Sequence, residues 1–80
     1  MTQEFIDVLN KVNPEILDNP GIDLIEEGLV DSLCVMDLID ELEMALGIDF
    51  DPYDVMPENF ASAEALWELV SRYLGALAEL

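Results

Sequence analysis

The sequence predicts a small all-α protein: a four-helix bundle with three main helices, a short third helix and a long first loop. Apolar residues recur at helical spacing in three segments, glycine or proline lies between these segments, and no segment of useful length alternates like a half-buried strand. Hydrophobic residues make up 52% of the 80 residues, which supplies enough apolar surface for a core and argues against an acidic disordered tail. We therefore predict one domain over residues 1–80.

The first helix is predicted to run from Thr2 to Val12, with Thr2 as its N-cap. Its apolar stripe consists of Phe5, Ile6, Val8, Leu9 and Val12. Asn13-Pro14 ends the helix, because proline interrupts the backbone hydrogen bonds. The stretch 14–30 combines prolines and glycines with scattered apolar residues, which indicates an ordered loop pinned to the core. Loops of this length are uncommon in compact domains unless they serve a function.

The second helix is predicted from Ser32 to Leu46, with Gly47 as a left-handed C-terminal cap. At about 100° per residue, one side faces the core and carries Val35, Leu38, Ile39, Leu42, Ala45 and Leu46. The outer side carries Leu33, Met36, Asp37, Asp40, Glu41, Glu43 and Met44. A helix that needs only solubility places polar residues on its outer side, whereas here three large apolar residues lie among carboxylates. This pattern predicts a docking surface for a partner.

Two further helices complete the predicted bundle. Asp51-Pro52 favours the start of a short helix, because aspartate caps and proline suits the first helical position, and Pro57 ends it. The last helix is predicted to begin after Ser62 and to run to Leu77 or beyond, with Trp67 covering an edge of the core. Its apolar positions are Leu66, Leu69, Val70, Tyr73, Leu74 and Leu77.

The charge balance excludes several classes of partner. Nineteen aspartates and glutamates stand against Lys11 and Arg72, and the formal net charge is -17. Such a chain repels nucleic acid and anionic membranes, and its self-repulsion favours a monomer. No apolar run approaches the length of a membrane span, and the amino terminus lacks the features of a secretory signal. Cys34 is the single cysteine, so no internal disulfide is predicted and the expected compartment is the cytoplasm.

The stretch Asp31-Ser32-Leu33 offers a chemical function. It places a hydroxyl where the second helix begins, and the unpaired N–H groups of a helix start stabilise an anion. A phosphodiester on Ser32 would fit this position. Aspartate and serine are also common capping residues, so the pair can serve the helix alone.

The segment Leu24–Leu46 resembles the phosphopantetheine-attachment region of acyl and peptidyl carrier proteins. The resemblance lies in an acidic, glycine-containing lead-in, Ile25-Glu26-Glu27-Gly28-Leu29-Val30, the Asp31-Ser32-Leu33 core and an acidic amphipathic helix that ends at Gly47. It implies that a phosphopantetheinyl transferase esterifies Ser32 with 4'-phosphopantetheine from coenzyme A. It further implies that Asp31 and Leu33 are recognition residues beside the arm, and that the fold is the acyl-carrier-like four-helix bundle.

The resemblance also implies a role. Such a carrier is not an enzyme: it holds an acyl or aminoacyl group as a thioester and presents it to adenylating or acyl-transferring enzymes with basic docking surfaces. Gly28-Leu29-Val30-Asp31-Ser32 is similar to stand-alone carriers of the D-alanyl type, and Pro57-Glu58-Asn59-Phe60 is similar to aminoacyl or secondary-metabolite carriers. The cargo stays open between a fatty acyl chain, an amino acid and a polyketide-type unit.

Three other classes of function compete with a carrier. A calcium loop would use Asp49, Asp51 and Asp54, but Asp54 stands where that loop needs glycine, so no metal site is predicted. An enzyme would need a group to activate Ser32 or Cys34, and the chain has no histidine. An acidic interaction domain without a covalent arm stays open as the alternative.

Overall fold

In the computed structural model, the described residues are 1–19 and 21–78, and they form four α-helices. The helices are α1 (Gln3–Val12), α2 (Glu15–Asp18), α3 (Ser32–Leu46) and α4 (Ala63–Ala78). Two 3₁₀ turns, Pro52–Asp54 and Pro57–Asn59, lie between α3 and α4. The predicted all-α fold class is confirmed. Within this part of the chain, no helix has the length and apolar character needed to cross a membrane.

The predicted ends of the long helices are confirmed by their capping contacts. The Phe5 N–H donates to Thr2 Oγ1 over 3.4 Å at the start of α1. The Ala65 N–H donates to Ser62 Oγ over 3.0 Å at the start of α4. Gly47 has φ 67° and closes α3 in the left-handed conformation, which glycine adopts without steric cost. Local sequence signals therefore determine where these helices begin and end.

The core lies between α1, α3 and α4, with contributions from the loops. Its fully buried large side chains are Phe5, Leu9, Leu24, Val30, Leu38, Leu42, Phe60, Leu66, Leu69 and Val70. Trp67 packs at the edge, as predicted, with its ring centroid 5.1 Å from that of Phe5. The side chain of Leu77, predicted to extend the stripe of α4, lies outside the described residues.

Three details differ from the predictions. Ala45 is exposed, so its predicted core position is wrong: the buried residues of α3 are Leu38 and Leu42, and the single methyl group of Ala45, in the last turn, has little apolar area to gain from burial. The predicted loop 14–30 contains the single turn α2, whose buried Ile16 anchors it. The predicted short helix is two 3₁₀ turns, since Pro57 prevents the first turn from continuing.

The long first loop is pinned to the bundle, as predicted. The Leu24 N–H donates to the Ala61 carbonyl over 2.7 Å, and Asn13 Nδ2 donates to the Leu29 carbonyl over 2.8 Å. Leu24 and Val30 are buried. These contacts fix the backbone immediately before α3.

Tyr73 joins α4 to the segment before it. Its hydroxyl donates to the Asp54 carboxylate and accepts the Asp51 N–H over 2.9 Å. Burial, and next the hydrogen bond to Asp54, raise the pKa of Tyr73 above its usual 10.0. The neighbouring acids oppose a phenolate, and Arg72 lines the same shallow cavity as Tyr73 and Asp54.

We expect this raised pKa to make the fold sensitive to alkali. Because the folded state holds the Tyr73 proton more tightly than the unfolded chain, its contribution is complete below pH 10 and is lost as pH rises through the folded-state pKa. The Tyr53→Phe variant leaves Tyr73 as the only tyrosine, so phenolate absorbance reports it alone. A midpoint at or below that of free tyrosine would contradict the prediction, and Tyr73→Phe should flatten the decline in stability above pH 10.

Candidate functional site

The backbone leading into α3 is held by hydrogen bonds within the first loop. The N–H groups of Leu29 and Val30 both donate to the Leu24 carbonyl, over 2.9 and 3.1 Å. Val30 is buried, and the next three residues, Asp31, Ser32 and Leu33, are exposed. A buried anchor therefore presents the candidate stretch at the surface.

Asp31 caps α3. Its Oδ1 accepts the Cys34 N–H over 2.9 Å, and its carbonyl accepts the Val35 N–H over 2.9 Å. The N–H groups of Ser32 and Leu33 remain at the positive end of the helix without a helical acceptor. The predicted capping role of Asp31 is confirmed, and the cap fixes the position of Ser32.

The Ser32 hydroxyl is accessible. Ser32 is the first residue of α3 and its side chain is exposed. Within residues 1–19 and 21–75, whose side chains are described, no hydrogen bond occupies Ser32 Oγ. The hydroxyl is therefore free to react with a group delivered from outside.

An apolar groove of about 380 Å³ lies beside Ser32. We call it the Ser32 groove; it is lined by Ile25, Val30, Asp31, Ser32, Val35, Met36, Val55, Met56, Pro57 and Phe60. One wall comes from the first loop and α3, and the other from the segment 51–60, which we call the strap. The strap was not predicted to belong to the site. The sequence feature that could have indicated it is the apolar pair Val55-Met56, which lies between two prolines in an acidic segment.

The predicted outer face of α3 is exposed at its apolar positions. Leu33, Met36 and Met44 are 73%, 62% and 82% exposed. Asp37 and Asp40 are exposed beside them. These five side chains form a mixed acidic and apolar surface that starts beside Ser32 and extends along α3 to Met44, and their role in docking stays a prediction.

Glu41 and Glu43 were predicted to belong to the same docking surface, but both are half-buried and have partners within the chain. Glu41 Oε2 lies 2.8 Å from Lys11 Nζ in an ion pair. Glu43 Oε2 accepts the Phe50 N–H over 3.0 Å. The first contact joins α3 to α1, and the second holds the chain after α3. Among the side chains that the structure describes, none makes such a contact with Asp37 or Asp40, the other two acids of α3.

Cys34 lies two residues after Ser32 and is partly buried. Burial, and next the charges of Asp31 and Asp37, raise the pKa of the Cys34 thiol above its usual 9.0. Because the thiolate is the nucleophile, a raised pKa slows reaction with electrophiles near neutral pH.

We expect iodoacetamide to alkylate Cys34 more slowly in the folded protein than in the urea-unfolded chain at pH 7.5. Mass spectrometry of timed samples measures both rates, and Cys34→Ser identifies labelling elsewhere. Faster labelling of the folded protein would show an activated thiol and contradict the raised pKa.

Two of the three aspartates of the rejected calcium loop serve the fold. Asp51 Oδ1 accepts the Tyr53 N–H over 2.9 Å and caps the first 3₁₀ turn. Asp54 accepts the Tyr73 hydroxyl. Over the described ranges, no group of three or more potential ligands is placed to hold a metal ion.

Comparison with known proteins gives one family. The family model described as "Phosphopantetheine attachment site" matches residues 1–75. No solved structure gives a significant match to the chain. Proteins of this family carry 4'-phosphopantetheine covalently. An exposed hydroxyl at a helix start, with unpaired N–H groups and an apolar groove beside it, fits attachment of such a group through its phosphate.

Proposed function

Because the chain belongs to the phosphopantetheine attachment family, a family of carrier domains, we propose that Ser32 is the residue that carries 4'-phosphopantetheine. The observation that supports this most directly is the free, exposed hydroxyl of Ser32 at the capped start of α3. The resemblance of Asp31-Ser32-Leu33 to the attachment sequence of carriers agrees with it.

The residues around Ser32 would each contribute to attachment by a transferase. The Asp31 cap holds the Ser32 backbone in place, so that the exposed hydroxyl is available to the phosphate of coenzyme A that bears the pantetheine group. A bond forms between Oγ and that phosphorus, the P–O bond between the two linked phosphates of coenzyme A breaks, the nucleotide leaves with the other phosphate, and the serine proton passes to a base of the transferase. The N–H groups of the first turn favour the resulting anionic diester. Asp31 and Leu33 would contact the transferase.

The attached group supplies a thiol that forms thioesters. We propose that this carrier holds an acyl or aminoacyl unit there and acts as a free-standing partner of adenylating or acyl-transferring enzymes. The net charge of -17 and the exposed Asp37 and Asp40 support partners with basic docking surfaces, which charge attracts before Leu33, Met36 and Met44 make contact. The apolar lining of the Ser32 groove is compatible with an apolar acyl unit or with the arm itself.

The test is intact mass before and after incubation with coenzyme A, magnesium and a broad-specificity phosphopantetheinyl transferase. We expect a gain of one phosphopantetheine, which peptide mapping places on Ser32. No gain on protein that circular dichroism shows to be folded would refute attachment and favour the alternative, an acidic interaction domain without an arm.

We expect reversal of Asp37 and Asp40 to lysine to slow the transferase reaction by about tenfold or more at low salt, because charge attraction raises association rates 10- to 1,000-fold. The measurement is kcat/KM at low and high ionic strength. The matched control is Glu64→Lys with Glu68→Lys, which changes the net charge equally at exposed sites on α4. Equal slowing by both double variants would show that total charge, and not the α3 surface, steers the transferase.

A further inference from the structure

The strap forms one wall of the Ser32 groove, and the backbone hydrogen bonds of its first half are local. Val55 and Met56 contribute its apolar side chains to the groove and are themselves partly exposed. Its hydrogen bonds at Asp54 and Val55 are short-range, with the Asp54 N–H donating to the Asp51 carbonyl and the Val55 N–H to the Pro52 carbonyl. Short 3₁₀ turns of this kind have little stability of their own.

Tyr73 supplies the described hydrogen bonds that tie this half of the strap to a long helix. Its hydroxyl accepts the Asp51 N–H over 2.9 Å and donates to the Asp54 carboxylate. The ring of Phe50 meets the Tyr73 ring edge to face, with centroids 5.3 Å apart. One α4 side chain therefore contacts Phe50, the cap residue Asp51 and Asp54, the last residue of the first 3₁₀ turn.

The second half of the strap links the position of Asp54 to the wall of the groove. Asn59 Nδ2 donates to the Asp54 carbonyl over 2.8 Å, and the buried Phe60 ring lies 6.4 Å from that of Phe50. Val55 and Met56 lie between these two fixed points. Their distance from Ser32 and Met36 therefore depends on where Tyr73 holds Asp54.

We propose that Tyr73 is a positioning residue for the attachment site: through Asp51 and Asp54 it holds the strap closed, so that Val55 and Met56 form the wall of the groove beside Ser32. The effect of the closure on attachment rests on the proposed function of Ser32. The closure itself does not depend on whether Ser32 carries phosphopantetheine. Loss of the Tyr73 hydroxyl would leave the bundle folded and let the strap open. The surface that a transferase meets around Ser32 would then lack one wall in the open state.

Tyr73→Phe tests the closure, because the ring stays against Phe50 and the two hydrogen bonds of the hydroxyl disappear. Hydrogen exchange of the unmodified protein is read by NMR at the Asp54 and Val55 amides and, as internal reference, at Val35 in α3. A hydrogen bond to a charged group is strong enough that its loss should speed strap exchange about 10- to 100-fold. Tyr53→Phe is the matched control, because the Tyr53 side chain is 89% exposed on the strap itself.

Two variants at Asp54 distinguish opening of the strap from a general loss of stability of the domain. Asp54→Asn keeps an oxygen acceptor for the Tyr73 hydroxyl and should retain most of the protection of the strap. Asp54→Ala should open the strap. Adding Tyr73→Phe to Asp54→Ala should speed exchange further only because the hydrogen bond from the Asp51 N–H to the Tyr73 hydroxyl is also lost. Unchanged exchange in Tyr73→Phe, or equal acceleration at Val35, would overturn the proposed closure.

The kinetics of the transferase reaction measure how opening of the strap affects the attachment site. We expect Tyr73→Phe to raise KM for the carrier with little change in kcat, because only the closed fraction presents the complete surface. An opened strap with unchanged KM would overturn the link to Ser32. Failure of the unsubstituted protein to accept phosphopantetheine would instead refute the proposed attachment, and the exchange data would still decide the closure.

Discussion

Replacing Ser32 by alanine is expected to abolish phosphopantetheine attachment and leave the helical fold intact. The substitution removes one exposed oxygen, to which no described residue donates a hydrogen bond, and alanine has a high intrinsic helix propensity. The Asp31 cap and the buried anchor Val30 are untouched. We expect a change in the free energy of unfolding within about 0.5 kcal/mol and no gain in mass with coenzyme A and transferase.

The chain contains two other serines, which serve as matched controls. Ser62 caps α4 through the Ala65 N–H, so Ser62→Ala should cost about 0.5–2 kcal/mol but retain attachment. Ser71 donates to the Glu68 carbonyl on α4, and Ser71→Ala should change neither property greatly. A gain in mass that persists in Ser32→Ala and disappears in another serine variant would move the attachment site. Loss of attachment in Ser62→Ala as well would point to a fold defect.

The parts of the fold that were predicted correctly depend on neighbours within one turn. Thr2, Asp31 and Ser62 each accept an N–H three residues later, and Gly47 closes α3 with a positive φ. Such signals are complete within a few residues of sequence. Helical spacing likewise identified the buried positions of α1 and α4. A helix with an apolar stripe two or more turns long turns that stripe toward the core.

The parts that were missed depend on contacts between distant segments. Nothing near Glu41 in the sequence indicates Lys11, 30 residues away, and nothing near Tyr73 indicates Asp54, 19 residues away. A helical wheel assigned Glu41 and Glu43 to the outer side, but a half-buried boundary position can also reach a neighbouring segment. The second wall of the Ser32 groove was missed for the same reason, since it comes from the strap.

The two sides of α3 have different roles in this interpretation. Its inner side supplies Leu38 and Leu42 to the core, and its outer side presents large apolar side chains to solvent at Leu33, Met36 and Met44. Exposed apolar residues of this size bring no stability to a monomer, so their presence is consistent with contact to a partner. Two leucines on the same helix allow these roles to be separated by the same chemical change.

Leu42→Ala is expected to destabilise the domain by about 2–5 kcal/mol, which is most or all of the stability that a single core of this size provides. The Leu42 side chain is fully buried, so its loss removes apolar contacts from close-packed neighbours and leaves a cavity. The urea midpoint should fall sharply, with part of the protein unfolded at room temperature. A decrease in the free energy of unfolding of less than about 1 kcal/mol would contradict the core position of Leu42, because it lies below the range for buried leucines.

Leu33→Ala makes the same change on the same helix at a side chain that is 73% exposed. Both substitutions exchange leucine for alanine within α3, so the difference between their two effects on the free energy of unfolding reports chiefly the difference in burial. We expect Leu33→Ala to change the free energy of unfolding by no more than about 0.5 kcal/mol, and to lower kcat/KM with the transferase if Leu33 makes the proposed contact. A large loss of stability in Leu33→Ala that grows with protein concentration would show that Leu33 is buried against a second copy. The outer side of α3 would then be a self-association surface and the predicted monomer would be wrong.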